Sequence, residues 1–296
     1  MDPEDPTATD PTGPRAMLSG ADIGRLLDRH DLRPSRALGQ NFVADPNTVR
    51  RIARLADLSA GQAVVEIGAG LGSLTLALAE TGARVLAVET DRHLVPVLRQ
   101  VVEATGVVVV EADALRLDFP ALLGPAGPLG PVPGVKLVAN LPYNVATPLV
   151  MRVLTEAPTV SSLLVMVQRE VGERMAARAG TEAYGSVSVR IAYFAEAQVV
   201  GRVPATVFIP RPKVESVLVR LERRAAPAVD PAVVPAERLF AVVRAGFGQR
   251  RKMLRRALSG VVSPEAYERA GIDPSARAEE LDIDQWGRLA ALPEAR

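Results

Sequence analysis

The 296-residue chain contains no cysteine and only two histidines, His30 and His93. Without thiols there is no disulfide framework, no thiolate zinc site and no cysteine nucleophile. Two imidazoles are too few for a multi-histidine metal centre, and no metal is expected. Lysine is scarce: Lys136, Lys213 and Lys252 stand alone, and arginine supplies the rest of the 35 basic residues. No apolar run is long enough to span a bilayer. Residues 1–16, rich in Pro, Asp and Thr, lack the apolar stretch of a signal peptide. A cytoplasmic protein with no membrane partner is expected. A large charge of one sign is lacking too, since 35 basic and 34 acidic residues leave a net charge of +1. The chain as a whole is therefore no electrostatic magnet for nucleic acid.

What is present is an ordinary globular composition, 48% hydrophobic and 23% charged, on a chain long enough for one or two cored domains. The basic charge is uneven. Arg244, Arg250, Arg251, Lys252, Arg255 and Arg256 follow one another with no acidic residue between them, whereas the stretch from Glu265 to Glu294 is acidic.

Along the chain, residues 1–16 read as a flexible tail, because Asp/Pro/Thr runs cannot bury enough surface to offset ordering entropy. Ile23, Leu26 and Leu27 mark a helix, and Asp45-Pro46 opens another that carries Val49, Ile52 and Leu55. From residue 63 strands and helices alternate. Ala63 to Ile67 is an apolar strand ended by Gly68-Ala69-Gly70-Leu71-Gly72, with Ser73 as the N-cap of a helix reaching Glu80. Arg84 to Glu89 is the second strand, and Asp91 begins the next helix. Val107 to Val110, Lys136 to Ala139 and Leu163 to Val167 complete a series of five. Buried strands alternating with helices imply an α/β fold with a mostly parallel sheet. Phe119 to Gly134, dense in Pro and Gly, reads as a surface loop. Beyond Tyr184 the pattern shifts to Val187, Val189 and Ile191, then to Val214, Val217, Val219 and Leu221, a strand at the end of the sheet. Residues 17–225 are expected to form the catalytic domain, 226–235 a linker, and 236–296 a helical domain.

Four polar features fall at successive strand ends, where open α/β sheets bind ligands. The glycine turn allows close backbone approach. Its sixth position is Ser73, so it does not fit the dinucleotide pattern G-x-G-x-x-G. Glu66, just before the turn, repels a pyrophosphate but suits a cofactor with a cationic amino-acid moiety, such as S-adenosylmethionine. Glu89 can accept from a ribose diol, and Asp113 from an adenine amine; a helix cap and a turn-forming Asp are their plainer readings. The sharpest motif is Asn140-Leu141-Pro142-Tyr143. An adenine amine is a poor nucleophile because its lone pair is delocalised into the ring. The Asn140 oxygen and a backbone carbonyl directed by Pro142 can accept from both N–H bonds and make the nitrogen more tetrahedral. Tyr143 offers a stacking face. Phe208-Ile209-Pro210-Arg211-Pro212-Lys213-Val214 is a stiff segment that can bring Phe208 to the second face of the base, with Arg211 and Lys213 on phosphate.

These residues resemble the ribosomal RNA adenine N6,N6-dimethyltransferases, with the small-subunit (16S) branch, the one linked to kasugamycin sensitivity, as the closer match. The resemblance runs from Leu38 through Arg256. It is carried by Gly39-Gln40-Asn41-Phe42, Glu66 to Gly72, Glu89, Asp113, Asn140 to Tyr143, Phe208 to Val214, and Gly248 to Lys252. It implies a Rossmann-like methyltransferase domain with a seven-stranded sheet and a small C-terminal helical domain. It further implies transfer of methyl groups from S-adenosylmethionine to two adjacent adenosines in a hairpin near the 3′ end of 16S rRNA, during small-subunit maturation. By matching position, Asn41 and Val43 would contact the methionine end of the cofactor, Gly68 its backbone, Glu89 its ribose and Asp113 its adenine. Asn140 would touch cofactor and target amine, and Tyr143 and Phe208 would sandwich the base. Val43 stands where Leu is common in the family, and Gly-Ala-Gly replaces Gly-Pro-Gly.

RNA contact is expected from Arg250, Arg251 and Lys252. A single helix would place Arg251 with Arg255 and Lys252 with Arg256 at i,i+4, opposite an apolar stripe of Phe247, Leu254 and Leu258. The expected partner is 16S rRNA in a pre-30S particle, met by a monomer. Three other functions stay open: methylation of 23S rRNA, a non-catalytic assembly factor, and an NAD-dependent dehydrogenase. Ser73 and the lack of a proton-relay histidine count against the last.

Overall fold

Residues 17–35, 38–142 and 145–292 are described by the computed structural model. Among the described residues, nine strands are numbered in chain order. They are β1 (Phe42–Val43), β2 (Ala63–Ile67), β3 (Arg84–Glu89), β4 (Val108–Glu111), β5 (Val135–Asn140), β6 (Val160–Gln168), β7 (Ala195–Val203), β8 (Phe208–Ile209) and β9 (Ser216–Arg223). Seven of them form one sheet in the order β4-β3-β2-β5-β6-β9-β7. The first five of that order pair in parallel, and β9 runs antiparallel to both its neighbours.

The alternation of side chains along β2 sorts the core into two layers. Ala63, Val65 and Ile67 face a layer that includes α5 (Phe119–Leu123), α6 (Ala146–Glu156), α7 (Arg169–Met175) and α8 (Ser186–Phe194). Val64 faces the opposite layer with α2 (Pro46–Leu55) and α3 (Ser73–Ala79), along with Leu98 and Val102 of α4 (Val95–Val102). Helix α1 (Gly20–Arg29) packs Ile23 and Leu27 on Phe42, Leu71 and Leu94. Its Ser19–Asp22 capping box satisfies the orphan amides of the first turn.

A separate cluster joins α9 (Ala236–Gly248), α10 (Leu254–Ala257), α11 (Pro264–Ala270) and α12 (Ile283–Ala290) around the buried Trp286. Tyr184, Val189 and Tyr193 enter this cluster from around α8, and Val229 and Val234 enter it from the 226–235 segment.

Several expectations change. Gly72, not Ser73, precedes α3, and Ser73 is its buried first residue. Helix α4 starts at Val95, after a turn over 92–94 in which the Asp91 carbonyl accepts from Leu94 and Val95. The Pro/Gly-rich stretch is not a plain surface loop: it holds α5 and buries Phe119, Leu123 and Leu129, which the apolar face of the sheet draws inward. Residues 186–194 are helical, and β9 lies inside the sheet because β7 covers its outer edge. The basic run is not one helix. α9 ends at Gly248, residues 249–252 turn, and α10 begins at Leu254.

Candidate active site

One cavity opens at the carboxyl ends of β2, β3 and β5. Its wall brings together residues 38–43, Glu66, the turn from Gly68 to Leu71, Ser73, Glu89, Thr90 and residues 140–142. The glycine turn is left-handed at three points, with φ of +75° at Gly68, +58° at Gly70 and +91° at Gly72. At Gly70 the space is as restrictive as the torsion, since a Cβ would sit 3.1 Å from the Phe42 ring.

Glu89, at the end of β3, is only 5% exposed. One carboxylate oxygen accepts from Gly70 N–H at 2.7 Å, and the other from Thr90 and Asp91 N–H, each at 2.9 Å. Burial pushes its pKa up, the three amides oppose that, and the charge of Asp91 adds to it. Glu66 is 1% exposed, and burial pushes its carboxyl up to about 8. Glu66 Oε2 and Ser73 Oγ are buried in the wall without a hydrogen-bond partner. Buried polar atoms are normally paired, so this pair of oxygens is suited to an incoming cationic donor.

Asn140, the last residue of β5, donates from Nδ2 to the Asn41 main-chain oxygen at 3.0 Å. Asn41 in turn donates from Nδ2 to Gly39 O at 3.0 Å. The Asn140 amide is thereby oriented, with Oδ1 as its accepting end. Leu141 N–H is held by Met166 O at 3.1 Å, and the Pro142 carbonyl accepts from Val145 N–H at 3.1 Å.

The structure thus brings Asn41, Val43, Gly68, Glu89, Asn140, Leu141 and Pro142 to one cavity. Tyr143 lies outside the described residues. Two candidates are not in the wall. Asp113 is exposed beyond β4, where its carboxylate accepts from Leu115 N–H at 2.9 Å and lies 3.8 Å from Arg116. Phe208, 3% exposed, packs in the core with Val43, Leu164, Met166 and Leu218. It is anchored there by the β1–β8 pairing, Val43 opposite Phe208. Arg211 and Lys213 are exposed on the loop before β9, and Arg251 and Lys252 are exposed in the turn after α9. Arg250 is committed within the fold: it pairs with Glu279 at 2.6 Å and donates to Glu182 O at 2.6 Å. Among the described residues no cluster of His, Asp or Glu is grouped to hold a metal ion, and no helix is long and apolar enough to cross a membrane.

The model of the ribosomal RNA adenine dimethylase family matches residues 32–293. The chain belongs to that family. It is 46% identical to a protein of Kineococcus radiotolerans named ribosomal RNA small subunit methyltransferase A, with 93% of this chain and 91% of that one covered. A protein of the same name from Cutibacterium acnes is 46% identical, with 94% of each chain covered. Among solved structures, the 23S rRNA methyltransferase ErmE is 29% identical with a TM-score of 0.65, covering 84% of this chain and 98% of that one. A dimethyladenosine transferase from Plasmodium falciparum superposes with a TM-score of 0.69 at 22% identity, over 83% of this chain and 94% of that one, a likeness of fold.

The fold and family are those of an S-adenosylmethionine-dependent methyltransferase, and the wall residues fit that cofactor. Glu66 and Ser73 offer acceptors for an ammonium, Gly68 brings main chain without a side chain to the cavity wall, and Glu89 offers a carboxylate. The residue that sequence reasoning passed over is Gln40. It was legible only as part of a motif, because its side-chain partner Asp91 is 51 positions away.

Proposed function

We propose that this dimethylase acts on 16S rRNA in a pre-30S particle, converting two adjacent adenosines near the 3′ end to N6,N6-dimethyladenosine. We further propose that it works as a cytoplasmic monomer. The relatives named small subunit methyltransferase A support the target. The observation that carries the chemistry is the orientation of Asn140 by Asn41 at the cavity wall.

When bound, S-adenosylmethionine supplies an electrophilic methyl group. The chain's part is to hold and polarise the amine. Asn140 Oδ1 accepts one N–H. The Pro142 carbonyl is engaged by Val145, so the carbonyl of Leu141, directly before the proline, is assigned the second N–H. Both acceptors are preorganised, so the nitrogen can become tetrahedral without a strong base. Asn41 and Val43 are assigned to the methionine end, Gly68 to the cofactor backbone, Glu89 to the ribose and Asp113 to the adenine. The target base must leave its stack, and Tyr143 and Phe208 are assigned to its two faces. For Phe208 this requires the ring to turn out of its core position. Arg211, Lys213, Arg251 and Lys252 are assigned to phosphate, with residues 17–225 as the catalytic part and 236–296 as the RNA-contacting part.

The test is to incubate the protein with labelled S-adenosylmethionine and either undermethylated 30S particles or 23S transcripts, then map the label by mass spectrometry. Dimethyladenosine near the 3′ end of 16S rRNA is expected. Label only in 23S rRNA, the target named for ErmE, would overturn the assignment.

A further inference from the structure

Gln40 sits in the cavity wall between Gly39 and Asn41, and both ends of its amide are used. Oε1 accepts from Ser35 N–H at 2.7 Å, and Nε2 donates to Asp91 Oδ2 at 2.7 Å. Its main-chain N–H also donates to Ser35 O at 3.1 Å. Asp91 continues the path. Its Oδ1 accepts from His93 N–H, and its own N–H donates to Glu89 Oε1, each at 2.9 Å. Glu89 then accepts from Gly70 N–H. An unbroken hydrogen-bonded path therefore runs from Ser35 through Gln40, Asp91 and Glu89 into the glycine turn. The next residue, Asn41, holds the Asn140 amide.

We propose that Gln40 is a positioning residue for the methyl transfer. Its amide sets the 38–43 segment against the loop after β3, so that the Asn41 oxygen, the Glu89 carboxylate and the Gly70 amide occupy one cofactor-ready arrangement. The chemistry is selective. A primary amide accepts at one end and donates at the other. Glutamate would still accept from Ser35 but would oppose the half-buried Asp91 with a like charge. A leucine would leave Ser35 N–H and Asp91 Oδ2 without this partner. Exchanging the roles preserves the pattern. With Gln40→Glu and Asp91→Asn combined, the amide introduced by Asp91→Asn donates to the carboxylate introduced by Gln40→Glu, while its oxygen keeps His93 N–H. Total charge is unchanged.

The inference rests on the cavity being the S-adenosylmethionine site, so the experiment measures that first. Calorimetric titration of the full chain with S-adenosylmethionine gives a Kd for the parent protein, for Gln40→Glu, Gln40→Leu and Asp91→Asn, and for the exchanged double variant. Unfolding temperature is followed in parallel. The single variants are expected to weaken binding about tenfold, the loss of one charge-assisted hydrogen bond. The double variant is expected to return to within about threefold of the parent, a coupling that a double-mutant cycle isolates. If Gln40→Glu does not fold, Gln40→Leu and the double variant carry the test. Failure of the parent protein to bind would sink the cofactor reading itself. Parent-like binding by Gln40→Glu or Gln40→Leu, or a double variant no better than its singles, would overturn only the role of Gln40.

Discussion

Asn140 and Asn41 lie 99 positions apart in the chain and meet where Asn140 Nδ2 donates to the Asn41 main-chain oxygen at 3.0 Å. That bond ties up the donating end of the Asn140 amide and leaves Oδ1 as the end the proposed mechanism uses. Asn140→Ala is expected to lower kcat by about 10²–10³, the scale of losing a preorganised polar group. Binding of cofactor and rRNA should remain measurable. Asn140→Asp keeps an oxygen but sets a carboxylate against the Asn41 carbonyl, and it should lose most activity as well. Transfer of labelled methyl to 30S particles checks both, and near-full activity in Asn140→Ala would remove this side chain from the mechanism.

The buried Glu66 makes stability depend on pH. Its carboxyl releases its proton at about 8 in the folded chain, against an ordinary value of 4.5. The folded state therefore holds the proton across a window in which the unfolded state has lost it. Stability from this group is complete below about 4.5, declines as pH rises, and levels off above about 8. Glu66→Gln should flatten that decline in urea unfolding at pH 5 and pH 8. A cationic ligand beside Glu66 favours the ionised form, so cofactor binding near pH 7 should release protons. Titration in buffers of different ionisation enthalpy reads this, and the release should vanish in Glu66→Gln.

Gly70→Ala forces a side chain into a φ of +58° and a Cβ 3.1 Å from the Phe42 ring. The expected cost is about 1–3 kcal/mol of stability. The Gly70 N–H bond to Glu89 shifts with it, so cofactor affinity should fall at the same time. Denaturant unfolding and calorimetry on one preparation check both effects.

Arg223 closes the end of α6. Its guanidinium donates to the carbonyls of Val153, Leu154, Ala157 and Val160, and burial lowers its pKa. Arg223→Met keeps the aliphatic stem and removes the guanidinium from those carbonyls, of which Val153 O and Ala157 O keep a main-chain donor. A loss of about 2 kcal/mol or more is expected from chemical denaturation, with kcat unchanged in the folded fraction.

The basic run divides by contact: Arg250 is paired, and Arg251 and Lys252 are exposed. Neutralising Arg251 and Lys252 together should weaken rRNA affinity and reduce the salt slope by about 2, with no change in unfolding temperature. Arg250→Ala should act differently. It breaks the pair with Glu279 and the bond to Glu182 O, so stability should fall by about 1 kcal/mol. Filter binding over a salt series and thermal unfolding separate the two.

Two strands with continuous apolar runs were readable residue by residue, whereas β6 begins three residues before the expected Leu163. Ala63–Ile67 and Arg84–Glu89 have the expected bounds, because burial on both faces leaves no other use for such segments. Boundaries set by turn chemistry were less readable. Asp91 carries the signature of a helix start, yet its carboxylate is taken by Gln40 and His93, and the helix waits until Val95. The Lys252–Arg256 region reads as helix by spacing. The chain turns at 249–252 first, Met253 bridges to Arg277, and a short new helix begins at Leu254, whose N–H bonds to Ala276 O.

Local pattern alone determined the α/β alternation, the glycine turn and the placing of Glu89 and Asn140 at strand ends, since these depend on burial period and torsion within a few residues. Tertiary structure decided the rest: that Gln40 reaches Asp91, that Asn41 orients Asn140, that Arg250 is bound to Glu279 while Arg251 is exposed, and that Phe208 packs inward. A hydrogen bond between groups tens of residues apart forms only where the sheet order brings them together, and nothing in the spacing of either residue records it.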